Sequence, residues 1–490
     1  MIQKTRGRKT KIVCTIGPAT ESLEAIRKLA EAGMNVARIN LSHGSLKSHE
    51  QKLSNIRAVN ESHRDKVAVL LDTRGPEIRT GKAPVKVQLV EGAEIEVTSD
   101  GSESTNQKIS LNYANLPKIV VPGASIFLSD GNIELEVVQV QKKSVSCKVK
   151  IGGELGSNKN VCIPGANLDL PTLGKEDLSD IKEGARWGID FVAQSFVRGP
   201  DDVLELMEVL QNAGSDAHMI AKIELASAFE QVDRIISAAD GLMVARGDLG
   251  VQVPIEQIPA MQKKMVQKCN EAGKPVIVAT HMLESMTSNP RPTRAEATDV
   301  ANAVFDGVDA VMLSGETAAG RYPIITVEMM ARICVEAEKS RVSHILTKPD
   351  SFVKPSMSYA ISRSACSLAD DLDADAILVP TSGGFTVRLV SQQRPGAEII
   401  ALTPDVRVIN KLSLVRGVHA LLFKAKVTDE DTMQQAINAA HHSGFVKDGD
   451  LVVVTGGIPL GLSGSTNTIH VQRVGKAADL KGYGKLSKFG

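Results

Sequence analysis

The strongest regularity along the chain is an alternation of short, β-branched apolar runs with stretches of roughly ten to twenty residues whose apolar positions recur at three and four. The runs are KIVCTIG from Lys11, NVARINLSH from Asn35, VAVLLDT from Val67, DFVAQSF from Asp190, HMIAKIE from His218, GLMVARGD from Gly241, PVIVAT from Pro275 and AVMLSGE from Ala310. Between them lie helical patterns such as SLEAIRKLAEAG, with Leu23, Ile26, Leu29 and Ala30 on one face and Gly33 at the close. Such alternation predicts parallel strands joined by crossover helices. Eight units over about 250 residues, once one insertion is removed, is the count of a (β/α)8 barrel.

Between Arg74 and Leu170 the period changes from helical to two. KVQLVEGAEIEVTSD, KIVVPGASIFLSDGNIELEVVQV and SVSCKVKIGG alternate apolar and polar residues, with turn pairs such as Asp130-Gly131 between them. A β-rich insertion hung on two neighbouring connections at the end of the third barrel strand is expected to swing as a lid. After Ser343, HILTKPDSFVKPS reads as a boundary, and AILVPTS, IIALTPD, VHALLF and LVVVTGG then repeat the α/β alternation. The fold class this predicts is α/β: a (β/α)8 TIM barrel with an inserted small β-barrel domain and a C-terminal α/β open-sheet domain. Barrel residues are expected at 1–73 and 171–343, the insertion at 74–170, the C-terminal domain at 344–474 and a frayed tail at 475–490.

Composition narrows the function. The 490 residues carry 57 Lys+Arg against 57 Asp+Glu, without the basic excess that phosphate neutralisation demands of a nucleic-acid or anionic-membrane binder. Aromatics at 3%, with Trp187 the single tryptophan, leave little for base stacking and a core built from Val, Ile, Leu and Ala. Six scattered cysteines with no C-x-x-C pair argue against zinc and against a disulfide framework, so a reducing cytoplasm is the expected compartment. No apolar run is long enough to cross a membrane. The basic start, MIQKTRGRKTK, reads as a solvated flank.

Side chains at the C-terminal ends of barrel strands meet over one axis and carry reactions. Here those ends bear Arg38, Asn40, Ser42 and His43; Asp72, Thr73 and Arg79; Lys222 and Glu224; Arg246 and Asp248; Thr280; and Ser314 and Glu316. Lys222 and Glu224 stand two apart in a strand and so share a face. The choice is between a structural ion pair and a working site. With Asp248, Glu224 makes an oxygen environment suited to Mg²⁺, and Lys222 offers a point charge where negative charge develops. Gly247 lets backbone N–H groups approach a carboxylate, or else merely turns a strand into a helix. Arg38 and Arg79 can clamp a phosphoryl group, as solvated arginines do not. Asn40, Ser42, Asp72 and Thr73 are all oxygen-bearing and together suit a second cation, though Asn and Ser after a strand also cap helices. His43 and His281 take the bland reading of hydrogen-bonded loop residues. So does GGIPLGLSGSTN from Gly456, a glycine-rich run without a Walker lysine.

KIVCTIGPAT, GMNVARINLSHG, LLDTRGPEIRTG, MIAKIE, GLMVARGDLG, NPRPTRAEATDVANAVFDG and DAVMLSGETAAGRYP together resemble the pyruvate kinase family, over nearly the whole chain. The resemblance implies transfer of a phosphoryl group from phosphoenolpyruvate to ADP, giving pyruvate and ATP, in a homotetramer. It implies that Lys222 stabilises the developing charge, that Glu224 and Asp248 bind Mg²⁺ (or Mn²⁺), and that the backbone of Gly247 holds the substrate carboxylate. Thr280 lies beside the substrate and, with Ser314 and water, delivers a proton, while Arg38 and Arg79 grip the phosphoryl group. Asn40, Ser42, Asp72 and the Thr73 carbonyl hold K⁺, and His43 and Lys159 meet the nucleotide, as do Asn40 and Arg79. Glu77 resembles the branch of the family that depends on K⁺.

Two departures stand out. After K-I-E the chain continues Leu225-Ala226-Ser227-Ala228 where the family has Asn, an acidic residue and Gly, and His281 replaces a common glutamine. PTSGGFTVR from Pro380 resembles the family's anion loop with one residue more, so Thr381, Ser382 and Thr386 hold a sugar-phosphate or nucleotide effector or else cap a helix. Two rival readings are a metal-dependent aldolase or lyase, sharing the pyruvate enolate, and a non-catalytic ligand-binding paralogue. Arg38, Arg79 and Lys159 speak against the first, and the presence of Lys222, Glu224 and Asp248 against the second.

Overall fold

The computed structural model describes residues 7–166, 170–340, 356–424, 429–457 and 466–475. All eight expected runs form strands: β1 (Lys11–Thr15), β2 (Val36–Asn40), β3 (Ala68–Asp72), β4 (Phe191–Gln194), β5 (His218–Ile223), β6 (Gly241–Ala245), β7 (Val276–Ala279) and β8 (Ala310–Leu313). They pair in parallel, and β8 returns to β1 to close the barrel. Both faces of these strands are buried, which explains their continuous apolar runs. Inward-facing residues such as Val13, Leu70, Phe191, Ile220 and Met243 fill the interior, and alternate positions such as Ile12, Leu71 and Val192 meet the surrounding helices. The helix at Leu23–Ala32 starts at Ser22, whose hydroxyl accepts from Ala25 N, and ends at Gly33 with φ of 124°. It buries Ile26, Leu29 and Ala30, whereas Leu23, on its first turn, is exposed.

The inserted strands lie between Ile78 and Cys162. Seven of them form one sheet whose two edges are Ile78–Arg79 and Lys108–Ser110. A bridge between Thr80 and Leu111 joins those edges, with Gly81 N donating to Ser110 O at 2.7 Å, so the sheet closes on itself around its own core. One expectation fails locally. KIVVP does not alternate as a strand; Leu116–Ile119 is a short helix entered through Pro117, which has no N–H for a ladder.

The C-terminal sheet contains β9 (Ala376–Pro380), β10 (Glu398–Thr403), β11 (Val418–Leu422), β12 (Leu451–Gly457) and β13 (Thr466–Arg473). The first four are parallel in the order β11-β10-β9-β12, and β13 adds antiparallel to β12. This fifth strand escaped the sequence reading, because its TNTIHVQR alternates weakly and begins inside the glycine-rich run. Most of that run (458–465), the boundary segment 344–355 and the tail from 476 lie outside the described residues.

The described part of the basic start is not the solvated flank expected of it, and residues 1–6 lie outside the described residues. Within residues 8–11, Arg8 is buried and donates to Gly33 O at 2.6 Å; Lys9 Nζ donates to Pro395 O at 2.9 Å and Gly396 O at 2.7 Å; and Lys11 Nζ donates to Val418 O at 2.6 Å. These cations satisfy carbonyls at the floor of the barrel, where it meets the C-terminal domain. Arg394 completes the seam with a two-pronged bridge to Asp309 at 3.1 and 3.2 Å, both side chains almost fully buried. Asp309 also accepts from the backbone of Arg416 and Val276. Removing one partner of such a pair strands the other's charge. We predict that Arg394→Ala lowers stability by about 3 kcal/mol or more, read as a fall in the denaturant midpoint; a loss below about 1 kcal/mol would show the bridge to be dispensable.

Candidate active site

The charged strand ends converge on the carboxylate of Asp72, which is 1% exposed. Asp72 Oδ2 accepts from Arg38 Nε at 2.6 Å and Oδ1 from Lys222 Nζ at 2.9 Å. Lys222 Nζ also lies 2.9 Å from Glu224 Oε1 and donates to Ser195 Oγ at 2.6 Å. Arg38 is anchored a second time by Thr15 Oγ1, at 2.9 Å. The two-residue spacing does what period two requires, placing Lys222 and Glu224 on the same inner face of β5 and its end.

The electrostatics follow from a count. Arg38 and Lys222 stand against Asp72, Glu224 and Asp248, two positive charges to three negative ones in a mostly buried cluster. Burial opposes ionisation of Asp72, yet Arg38 and Lys222 outweigh it and hold its pKa below the usual carboxylate value. Burial likewise opposes the charge of Lys222, but Asp72 and Glu224 prevail and lift the ammonium above its ordinary range. Glu224 is pushed up to about 7 by burial, with the charge of Asp248 adding to the effect and Lys222 opposing it. Asp248 is raised by burial too, with Asp130, Asp72 and Glu77 adding to it.

Surplus negative charge on two neighbouring carboxylates is what a divalent cation relieves, and their oxygens suit Mg²⁺. Among the described residues no group of three or more His, Cys, Asp and Glu side chains is arranged to hold a metal. A cation held at Glu224 and Asp248 would need water and substrate oxygens for the rest of its shell. Of the second oxygen set, Asn40 and Asp72 are register partners on β2 and β3. Asn40 Oδ1 accepts from Ser42 N at 3.0 Å, and the Thr73 carbonyl accepts from Ser195 Oγ at 2.7 Å. These oxygens, one of them a carboxylate's, suit a monovalent cation better than a transition metal.

A cavity of about 860 Å³ opens over the cluster between barrel and insertion. Glu224, Gly247, Asp248, Thr280, Ser314 and His43 line it from the barrel, and Phe127, Asp130, Gly131, Asn160 and Cys162 from the insertion. The two walls touch where Gln252 Nε2 donates to Cys162 Sγ at 3.1 Å. Leu225 and Ala226 present an apolar rim to this cavity with Ser227 beside them, and exposed His281 stands beside Thr280. Gly247 N–H, offered by the sequence to a carboxylate, here donates to Thr280 Oγ1 at 3.2 Å.

Not every expected residue lines the cavity: Arg38, Asn40, Ser42, Asp72, Thr73 and Lys222 are not among its lining residues, nor are Arg79 and Lys159. Arg79 is held by Glu77, with Nη2 2.6 Å from Oε2, and donates to Asn158 O at 3.0 Å. Lys159 is exposed, its backbone N–H donating to Thr80 Oγ1. Glu316 is fully buried and accepts from the backbone of Leu283 and Ser314, which makes it a loop support. In the C-terminal domain Thr381 Oγ1 accepts from Gly384 N at 2.9 Å, Thr386 Oγ1 meets Thr466 Oγ1 at 2.7 Å, and Ser382 is exposed.

Two residues of the site escaped the sequence reading, and the role of a third was not seen. Ser195 follows β4 and ties Lys222 to Thr73; the rule that found the other strand ends applies to it equally. The N–H of Phe196 donates to Glu224 Oε2 at 2.7 Å from a left-handed backbone, φ 54°, of which the sequence gives no sign. Arg246, noticed only as a strand end, bonds the carbonyls of Ala279 and Thr280 and the carboxylate of Asp299.

Comparison with known proteins agrees with this geometry. The family description "Pyruvate kinase, barrel domain" matches residues 7–327, and "Pyruvate kinase, alpha/beta domain" matches residues 359–472. The pyruvate kinase of Geobacillus stearothermophilus is 46% identical over 490 residues, spanning 99% of this chain and 83% of that protein. That of Bacillus licheniformis is 45% identical with the same coverage. A crystal structure of a pyruvate kinase from Cryptosporidium parvum is similar with a TM-score of 0.88 and 37% identity, over 96% of this chain and 97% of that one. The aldolase and non-catalytic readings find no support in these matches. Matches that run through both the barrel and the α/β domain leave one conclusion: the chain belongs to the pyruvate kinase family and transfers the phosphoryl group of phosphoenolpyruvate to ADP, yielding pyruvate and ATP.

Proposed function

We propose that Lys222 is the residue on which this transfer turns, supported by its position as a charged lysine 2.9 Å from both Asp72 and Glu224, the latter a lining residue of the cavity. In the reaction the bond between phosphorus and the enol oxygen breaks, its electron pair staying on that oxygen. A new bond forms between phosphorus and a terminal oxygen of ADP, and the enolate carbon then takes a proton. The chain's part is mostly positioning and charge. Arg38, pinned by Asp72 and Thr15, meets the phosphoryl oxygens from below. Arg79 meets them from the insertion after exchanging Glu77 for the substrate. Lys222 faces the enol oxygen and the phosphoryl group, where negative charge grows.

The N–H groups of Gly247 and Asp248 hold the substrate carboxylate, which displaces the bond from Gly247 to Thr280 Oγ1 and frees that hydroxyl. Thr280, with Ser314 and water, then delivers the proton to the enolate carbon. Asn40, His43, Arg79 and Lys159 contact the nucleotide, the last two as the insertion closes. Glu224 and Asp248 would hold Mg²⁺ (or Mn²⁺), and Asn40, Ser42, Asp72 and the Thr73 carbonyl K⁺; once bound, these ions would supply positive charge that neutralises the phosphates and attracts the developing negative charge more strongly as it grows. Further parts of the proposal are a cytoplasmic homotetramer and an anionic effector at Thr381, Ser382 and Thr386; among the described residues no helix is long and apolar enough to cross a membrane.

Lys222→Met should lower kcat by about 10³-fold with a much smaller change in the KM for phosphoenolpyruvate, measured by pyruvate release; parent-like kcat would refute the role. Dependence on K⁺ should show as near-complete loss of activity when K⁺ is replaced by tetramethylammonium, and Asp72→Asn should weaken the K⁺ response. Full activity in K⁺-free buffer would remove the monovalent site.

A further inference from the structure

Thr280 and His281 follow β7 in consecutive left-handed conformations, φ 72° and 56°. A β-branched residue reaches that region only when its surroundings impose it. The imposing group is Arg246. Its Nη2 donates to Thr280 O at 2.7 Å and its Nε to Ala279 O at 3.3 Å, so one guanidinium bonds the carbonyls on both sides of the Thr280 α-carbon. The remaining nitrogen, Nη1, meets Asp299 Oδ1 at 2.7 Å. Asp299 comes from the helix Arg294–Phe305, and neither it nor Arg246 is among the residues lining the cavity. The turn packs Thr280 directly over Gly247, where a Cβ would stand 3.0 Å from Thr280 Cγ2, and it sets the hydroxyl against the Gly247 N–H. The guanidinium spreads these contacts over three nitrogens fixed in one plane, a geometry that the single nitrogen of a lysine ammonium does not reproduce.

We infer that Asp299 is a positioning residue: through Arg246 it holds Thr280 in the left-handed turn that aims its hydroxyl at the enolate carbon, and so governs proton delivery rather than phosphoryl transfer. The inference rests on the proton role proposed for Thr280. By microscopic reversibility the same hydroxyl, deprotonated through Ser314 and water, removes a methyl proton from pyruvate, the C–H electron pair passing into the enolate.

The test separates the two halves of the reaction. Exchange of pyruvate methyl hydrogens in D₂O, with ATP, Mg²⁺ and K⁺ present, reports the proton step by NMR. A rapid-quench burst of ATP from phosphoenolpyruvate and ADP reports the transfer. Asp299→Ala should slow exchange about tenfold or more, leave the ATP burst at the parent rate and move the KM for phosphoenolpyruvate less than about twofold. Asp299→Asn, which keeps an oxygen for Arg246, should restore exchange, and Arg246→Lys should lose it. Exchange within about twofold of the parent in Asp299→Ala, or equal losses in burst and exchange, would overturn the assignment. Should Asp299→Ala fail to fold, Arg246→Lys carries the same expectations. Thr280→Ala distinguishes the two ideas. If it leaves exchange intact, the proton role of Thr280 falls; if it abolishes exchange while Asp299→Ala does not, only the positioning role falls.

Discussion

The site depends on one buried carboxylate. Asp72 sits at the end of β3 with almost no exposure and accepts from both Arg38 and Lys222, so the two groups that have to face a polyanion are held apart and charged before one arrives. Two cations left alone in a protein interior would repel each other and shed charge. Asp72 prevents that, and the barrel makes it affordable, because eight strands end on one axis and bring residues 34 and 150 positions away to the same oxygens. Glu224 and Asp248 then tip the cluster to net negative charge, which prepares the mouth for metal.

How much of this was legible depends on the reach of the signal. The barrel strands could be read because burial on both faces writes itself as continuous Val, Ile, Leu and Ala, and the strand-end rule reached Lys222, Glu224, Asp72 and Arg38 without any structure. What stayed hidden depended on backbone angles and long-range partners. Nothing in the letters of Phe196, Thr280 or His281 announces a positive φ. Nor does the sequence show that Asp299 would find Arg246, 53 residues away. The basic start misled because charge is usually solvated, whereas here Arg8, Lys9 and Lys11 end on carbonyls of other segments. The strand β13 was missed for the opposite reason, since its alternation is too polar to stand out.

The chemistry is also divided between rigid and movable parts. Lys222, Asp72 and Glu224 belong to the closed barrel, in which every neighbouring strand is paired. Arg79 and Lys159 belong to the insertion, which has a separate hydrophobic core and meets the barrel through contacts such as Gln252 with Cys162. A core of its own lets the insertion move as a body without unpacking. Under the function proposed above, charge stabilisation is built in permanently, while nucleotide capture by Arg79 and Lys159 waits for closure.

The strand β8 joins two regions otherwise described apart. Asp309, at its foot, is the carboxylate gripped by Arg394 of the C-terminal domain, and Ser314, at its head, looks into the cavity. Between them are the four residues Ala310–Leu313, all buried and about 13 Å from end to end. So short and tightly packed a rod has no slack in which to dissipate a displacement. The seam with the C-terminal domain and the mouth of the barrel thus stand at the two ends of one strand, four buried residues apart.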